Sequence, residues 1–299
     1  MEKVWFFYSN WTFNRKMQNG FITNLINKAK NEYNIDLEVY NLSKFIINTG
    51  DKNSIYYKGK EIKDFPKYAI SRKLDIFFIR QLEMLGVKVF NSSQAMVDAK
   101  NKLKTHQILT ENGIRSPKTL YSVRKSGRQV LEYEDVAKIL NSNTFILKYI
   151  KGRKGKSVFL IDNKEIFEQK YSRYHGKVIF QEFISSSFGM DIRCYVVGDK
   201  FIGSAIRKSG SEDFRSNLAQ GGKAIYYEAT PELKKLVIKV AKVMKLDICG
   251  IDILIGKNND YYVCEVNSVP GFKSLKLTRG MLEEDIFLKL LKDKINEKA

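Results

Sequence analysis

Proline is scarce, with four in 299 residues. No low-complexity tract and no internal repeat accompany it. Together these exclude a linker-rich or disordered chain and favour compact, closely connected domains. There are three cysteines, Cys194, Cys249 and Cys264, each inside an apolar, strand-like run. An odd, irregularly spaced set excludes a disulfide framework and points to reduced core thiols in a cytoplasmic protein. The two histidines, His106 and His175, complete no zinc site with those cysteines at any recognised spacing. No apolar run approaches the ~20 residues of a membrane span, so no membrane partner is expected. The opening "MEKVWFFYSN" has only a short apolar run before Ser9 and Asn10, and reads as a first strand and not a signal peptide.

Acidic residues are also short, 33 against 52 Lys and Arg, for a net charge of +19. Such a balance implies an anionic partner: nucleic acid, an acidic peptide or protein, or a phosphorylated ligand. The excess is uneven, with eight Lys/Arg and one acid, Glu111, between Lys100 and Arg128. A solvated lysine-rich surface would look the same. Hydrophobic residues make up 43% of the chain, enough for a sizeable core.

Strand and helix patterns alternate over residues 1–92: "KVWFFY", a helix from Asn19 to Ala29, "IDLEVYNL", "KYAIS", a helix around Asp75–Leu85, and "GVKVFN". This predicts a small α/β domain with a largely parallel sheet. A helix from Ser93 to Asn112 opens a second, α+β unit over 93–184, with strands "TFILKYI", "SVFLI" and "KVIFQEF". From 185 to 299 the strands pair: "DIRCYVVG", "KFIGSAIRK" and "KAIYYEA", with Gly198-Asp199 as a hairpin turn. Thr230-Pro231 caps a helix that buries Leu233, Leu236, Val237, Val240, Ala241 and Met244. "ICGIDILI", "DYYVCEVN" and a last helix from Met281 close the chain.

The last two strands carry unusual polar residues. Asp252 interrupts an apolar run, and a buried carboxylate is costly unless paired or bound to a cation. Glu265 and Asn267 lie two apart and share a strand face, which strict alternation also gives to Val263, with Cys264 opposite. If the strands are antiparallel neighbours, three oxygen ligands converge on a hard cation such as Mg²⁺, with Mn²⁺ as an alternative. Otherwise Asp252 pairs with a core arginine, and Glu265 and Asn267 end a solvated strand.

"KGRKGKSVFL" invites a P-loop reading at Gly155-Lys156-Ser157, but position 150 is Ile150, not glycine, and a strand follows where a helix is required. A glycine loop between strands can still fold over phosphates through backbone N–H groups and lysines. "DFRSNLAQGG" is a second candidate anion cradle. Lys102 and Lys148 carry little meaning singly.

Together, "NKLKTHQILTENGI", "ILKYIKGRKGKSV", "QEFI", "DIRCYVVGDK", "DFRSNLAQGGKA", "LDICGIDIL" and "CEVNSVPGF" resemble the ATP-grasp superfamily, specifically the RimK-like glutamate ligases, over about residues 90–280. The resemblance implies a three-domain ATP-grasp fold, mixed α/β and α+β, with ATP between the central and C-terminal domains. It gives Lys102 and Lys148 to the ATP phosphates, and Gly152 to Ser157, including Gly155, to a mobile flap. Glu182 and Phe183 become the hinge whose backbone reads adenine, and Asp191 the acid near the ribose. Arg215, Ser216 and Asn217 form a nucleotide-side loop, and Asp252, Glu265 and Asn267 the magnesium ligands. Arg193 would hold a substrate carboxylate, and Arg207 with Lys148 would stabilise charge in the reaction. One departure is Ser157, where the family usually carries a further glycine. With Arg153, Lys154 and Lys156 it implies a stiffer, more cationic flap.

The implied activity is carboxylate–amine ligation through an acyl phosphate. Its partners would be ATP, an amino acid such as glutamate, and an anionic acceptor: a peptide, protein tail or small molecule. A ligase for a different peptide, amino acid or coenzyme tail keeps the same fold. A basic nucleic-acid-binding protein is the alternative from another class; it would need exposed aromatic platforms, whereas most aromatics here fall in strand cores. Oligomeric state is open.

Overall fold

The computed structural model describes residues 1–123, 131–150, 157–172, 174, 176–210, 214–215 and 222–297. β1 (Glu2–Tyr8) is apolar on both faces because it is central and covered twice. Val4, Phe6 and Tyr8 pack with helix residues on one side, and Trp5 and Phe7 join a separate cluster on the other. α1 (Asn10–Gln18) buries none of its residues, so no apolar stripe announces it. α2 (Phe21–Tyr33) buries Ile22, Leu25 and Ala29. β2 (Ile35–Asn41) lies beside β1. A small antiparallel sheet follows, formed by β3 (Phe45–Asn48), β4 (Ser54–Tyr57) and β5 (Lys60–Ile62). Its last turn places Lys58 and Gly59 both at positive φ, a two-residue hairpin that "YKGK" could have signalled. β6 (Tyr68–Ser71), α3 (Ile76–Met84) and β7 (Lys88–Phe90) complete a parallel sheet of order β2-β1-β6-β7, as the alternation predicts.

The expected single helix from Ser93 to Asn112 is two: α4 (Ser93–Lys100) and α5 (Lys102–Glu111). Asn101 takes an extended backbone between them, and its side chain accepts from the Lys104 amide, capping α5. β8 (Thr119–Tyr121), α6 (Tyr133–Leu140), β9 (Phe145–Tyr149), β10 (Val158–Ile161), the one-turn α7 (Lys164–Phe167) and β11 (Val178–Glu182) follow. Their antiparallel sheet runs β10-β9-β11-β8.

β12 (Met190–Val197), β13 (Lys200–Lys208) and β14 (Lys223–Tyr226) are antiparallel neighbours. Gly198 and Asp199 both take positive φ in the tight turn. α8 (Pro231–Val243) starts where predicted, Thr230 accepting from the Leu233 amide. β15 (Ile248–Ile255) and β16 (Tyr261–Asn267) extend the sheet to the order β14-β13-β12-β15-β16. The chain ends on two helices instead of one, α9 (Lys273–Arg279) and α10 (Glu283–Asn296).

Two apolar contacts set how the first and third sheets and α5 sit. Phe287, Leu290 and Leu291 of α10 share one cluster with β1 and with Tyr195, Val197 and Ile248 of the third sheet. Leu109 and Ile114, at and beyond the end of α5, pack with the third sheet and α8. The second sheet's cluster draws only on residues between 120 and 180. Asn91, fully buried, bonds to the Ile248 and Ser268 carbonyls and accepts from the Ile248 amide, fixing the third sheet to the end of β7. Among the described residues no helix is long and apolar enough to cross a membrane.

Candidate active site

The second and third sheets face each other across a cleft of about 350 Å³. One wall is a single face of the second sheet. Register sets Lys148 opposite Val158 and Ile146 opposite Gln181, so these four share that face. Glu182 and Phe183 follow directly and line the same cleft. The Glu182 amide donates to the Lys118 carbonyl, and its carboxylate accepts from the Lys118 amide. Ser157 lies at the near end of β10 and also lines the cleft.

The opposite wall is set by strand register. Asp191 pairs with Arg207, Arg193 with Asp252, and Asp252 with Glu265. Five charged residues on four adjacent strands thus occupy neighbouring positions. The expected antiparallel pairing of β15 and β16 is present, but strict alternation along β16 fails. A bulge lies between Asp252 and Ile253, whose partners are Glu265 and Val263. Cys264 is the extra residue, and the phase slips by one. Val263 therefore faces the apolar core with Val266, not the side of Glu265. Cys264 lines the cleft with Glu265 and Asn267, so it is not the core thiol expected; Cys194 and Cys249 are buried. Gly250 has a local reason as well. A Cβ there would stand 2.6 Å from the Arg193 guanidinium, so only glycine lets that side chain lie against β15.

Asp191, Arg193, Arg207 and Asp252 are all buried, between 5% and 9% exposed, and form one network. Arg207 grips Asp191 through Nε at 2.7 Å and Nη2 at 2.5 Å, and reaches Asp252 Oδ1 at 2.9 Å. Arg193 Nη2 donates to Asp252 Oδ2 at 3.0 Å, and its Nε contacts Oδ1. Burial works against the Arg207 charge, but Asp252 and Asp191 more than offset it and hold the guanidinium above its ordinary range. Lys148 is buried; its ammonium lies 3.6 Å from the Cys264 thiol and has no carboxylate partner among the described residues. Burial lowers the Lys102 pKa and Lys148 pushes it the same way, while Glu265 opposes both. Burial raises the Cys264 pKa, and Lys148 opposes that rise. The cleft holds cationic charge ready for an anion.

Of the residues singled out from sequence, Lys102, Lys148, Ser157, Glu182, Phe183, Asp191, Arg193, Arg207, Arg215, Asp252, Glu265 and Asn267 all line this cleft. Gly152, Gly155, Ser216 and Asn217, with Arg153, Lys154 and Lys156, lie outside the described residues. The paired-arginine alternative for Asp252 is realised in this structure, and its carboxylate remains next to Glu265 in register. Two carboxylates and the amide oxygen of Asn267, gathered in one cleft, fit a hard divalent cation that keeps waters and phosphate oxygens, and the Asn267 Nδ2, buried and without a partner among the described residues, is a donor left for a ligand oxygen. Residues that sequence reasoning passed over supply the apolar walls: Ile146, Met190, Phe214 and Leu254. Nothing local marks them; they are ordinary strand and loop residues until the sheets meet.

Comparisons with known proteins give the family and the fold. The model of the RimK-like ATP-grasp domain matches residues 99–291. A probable alpha-L-glutamate ligase of Maridesulfovibrio salexigens is 34% identical over 267 residues, covering 86% of this chain and 87% of that protein. One of Methanococcoides burtonii is 31% identical over 262 residues, 85% of each. Among solved structures, the ATP-grasp ligase PsnB, complexed with a phosphomimetic variant of its minimal precursor, Mg and ADP, superposes with a TM-score of 0.70 at 17% identity, over 97% of this chain and 98% of that one. The D-alanine–D-alanine ligase of Coxiella burnetii gives 0.68 at 14% identity, over 100% and 98%. The fold is that of the ATP-grasp ligases, and the chain belongs to the RimK-like ATP-grasp family.

Proposed function

We propose that the protein is an ATP-dependent carboxylate–amine ligase that joins glutamate or a similar amino acid to an acceptor carboxylate. The observation that carries this is the meeting of Lys102 and Lys148 with Asp252, Glu265 and Asn267 in one cleft, beside a paired Arg193 and Arg207. Lysines on one wall and oxygen donors on the other suit a nucleoside triphosphate with its divalent cation. When bound, Mg²⁺ supplies charge neutralisation across the phosphate oxygens. The curated relatives carry ligase names, which supports the same activity here.

The chemistry runs in two steps. A carboxylate oxygen of the acceptor attacks the γ-phosphorus, the bond to the bridging oxygen of ADP breaks, and an acyl phosphate forms. The amine nitrogen then attacks the acyl carbon, the bond to phosphate oxygen breaks, and the amine proton leaves with phosphate or solvent. In this reading Lys148 neutralises charge on the transferring group, and Lys102, at the start of α5, holds the phosphates. Arg193 and Arg207 are oriented by Asp252 and Asp191, and their remaining N–H groups bind the acceptor carboxylate and the acyl phosphate.

Saturating Mg·ATP is expected to stabilise the fold, by about 2.7 kcal/mol at 100 times its Kd. A melting scan with no shift would remove the nucleotide from the account. Activity is tested by ADP release with Mg·ATP across a panel of amino acids and carboxylate peptides. Release that no pair of carboxylate and amine stimulates would count against ligation. The acceptor is anionic, as the +19 balance and the eight basic residues between Lys100 and Arg128 suggest. Its KM is expected to rise with salt while kcat changes less, since the screening length falls from about 10 Å at 0.1 M to about 3 Å at 1 M. A KM indifferent to salt would leave the lysines a role in solubility only.

A further inference from the structure

Beside Glu182 and Phe183, at the wall of the cleft, lies a buried polar group that the ligation chemistry does not use. His106, on α5, is 5% exposed, and its Nε2 stands 2.7 Å from Nε2 of Gln181, itself 1% exposed. The same Gln181 nitrogen lies 2.8 Å from Thr119 Oγ1, the neighbour that register places opposite it. Which way the Gln181 amide faces follows from hydrogen counting. The Thr119 hydroxyl gives its only proton to the Pro117 carbonyl at 2.8 Å, so toward Gln181 it can only accept. With the hydroxyl proton on Pro117, the facing atom of Gln181 is its NH₂ nitrogen. With the amide so oriented, its second proton goes to His106 Nε2, which then presents a lone pair and carries the ring proton on Nδ1, a buried atom with no partner among the described residues. Burial first, and Lys148 second, lower the His106 pKa to about 3, so the ring stays neutral and can accept.

Both Gln181 protons are thereby directed into the protein. Its carbonyl oxygen takes no hydrogen bond from the described residues, and Gln181 lines the cleft between Ile146 and Glu182. We propose that His106 and Thr119 act as positioning residues that lock the Gln181 amide, so that its carbonyl selects an amino-bearing purine, adenine, and rejects the carbonyl-bearing guanine. The exocyclic amine of adenine donates to this oxygen. The guanine oxygen at the same place would oppose it, lone pair to lone pair, and an unlocked amide could turn to donate instead. Ile146, Phe183, Met190 and Leu254 supply the apolar faces that a flat base needs. This rests on the nucleotide reading above, and adds a side-chain selector to the backbone of Glu182 and Phe183.

The test is calorimetric titration of the full chain with Mg·ADP and with Mg·GDP, without turnover. Wild type is expected to prefer Mg·ADP by about 30-fold or more. His106→Phe and, separately, the near-isosteric Thr119→Val are each expected to shrink that ratio to about 5-fold or less, with melting curves showing a folded protein. Should His106→Phe fail to fold, Thr119→Val carries the test alone. Adding Gln181→Glu to His106→Phe restores the preference, because a carboxylate accepts in either orientation; a merely structural role for His106 gives no such rescue. A wild type that binds both nucleotides alike, or variants that keep the wild-type ratio, would overturn the inference while the nucleotide site stands. A wild type that binds neither would overturn the site itself.

Discussion

Asp252→Ala is expected to destabilise the ligand-free protein by about 3–5 kcal/mol, a large share of the total stability of a domain. Removing one partner of a buried ion pair leaves the other charge stranded. Here two guanidinium groups lose a partner at once, and Arg193 has no other acceptor among the described residues. Arg207 keeps Asp191, which limits the damage to the Arg193 side. The measurement is urea unfolding without nucleotide, wild type beside variant, with Asp252→Asn as the milder control that keeps one acceptor oxygen. A loss under about 1 kcal/mol would show that water reaches the network and screens it.

Glu265→Gln should do the reverse, removing turnover by about 100-fold or more while leaving the unfolding midpoint within about 0.5 kcal/mol of wild type. Glu265 is exposed to the cleft and has no arginine partner among the described residues, so its charge stabilises little in the empty protein. The substitution keeps shape and takes away one negative charge where the cation is proposed to sit. ADP release at limiting Mg²⁺ reads the effect. Wild-type turnover there would take Glu265 out of the ligand set. The pair of variants thus separates two carboxylates that face each other across one strand pair.

Much of this was visible in the sequence because the signals are local. Gly198-Asp199, Thr230-Pro231 and the alternation of residues 1–92 each encode their geometry within a few positions. The site residues were legible as a set because seven short segments kept their order, although Lys102 or Lys148 alone says nothing. What stayed hidden depends on partners far along the chain. The bulge at Cys264 arises where Asp252 and Ile253 pair with Glu265 and Val263, and no feature of "DYYVCEVN" marks it. The break at Asn101 was readable in principle, since asparagine is a good cap, but an unbroken apolar pattern masked it. His106 and Gln181 sit 75 residues apart, and only the fold makes them neighbours.

The distribution of the apolar clusters has a mechanical consequence. α10 and the first and third sheets share one core, and α5 with the residue turn beyond it belongs to the third sheet's core. They are joined by continuous apolar packing. The second sheet, built from residues 119–182, keeps a core of its own and meets them across the polar cleft. Its only covalent ties are the strands of chain near Pro117 and between Phe183 and Gly189, and they leave side by side because Lys118 and Glu182 are bonded backbone to backbone. Two adjacent tethers make a hinge. A swing of the second sheet on that axis would separate the polar and apolar residues that line the cleft while leaving the cluster inside that sheet intact.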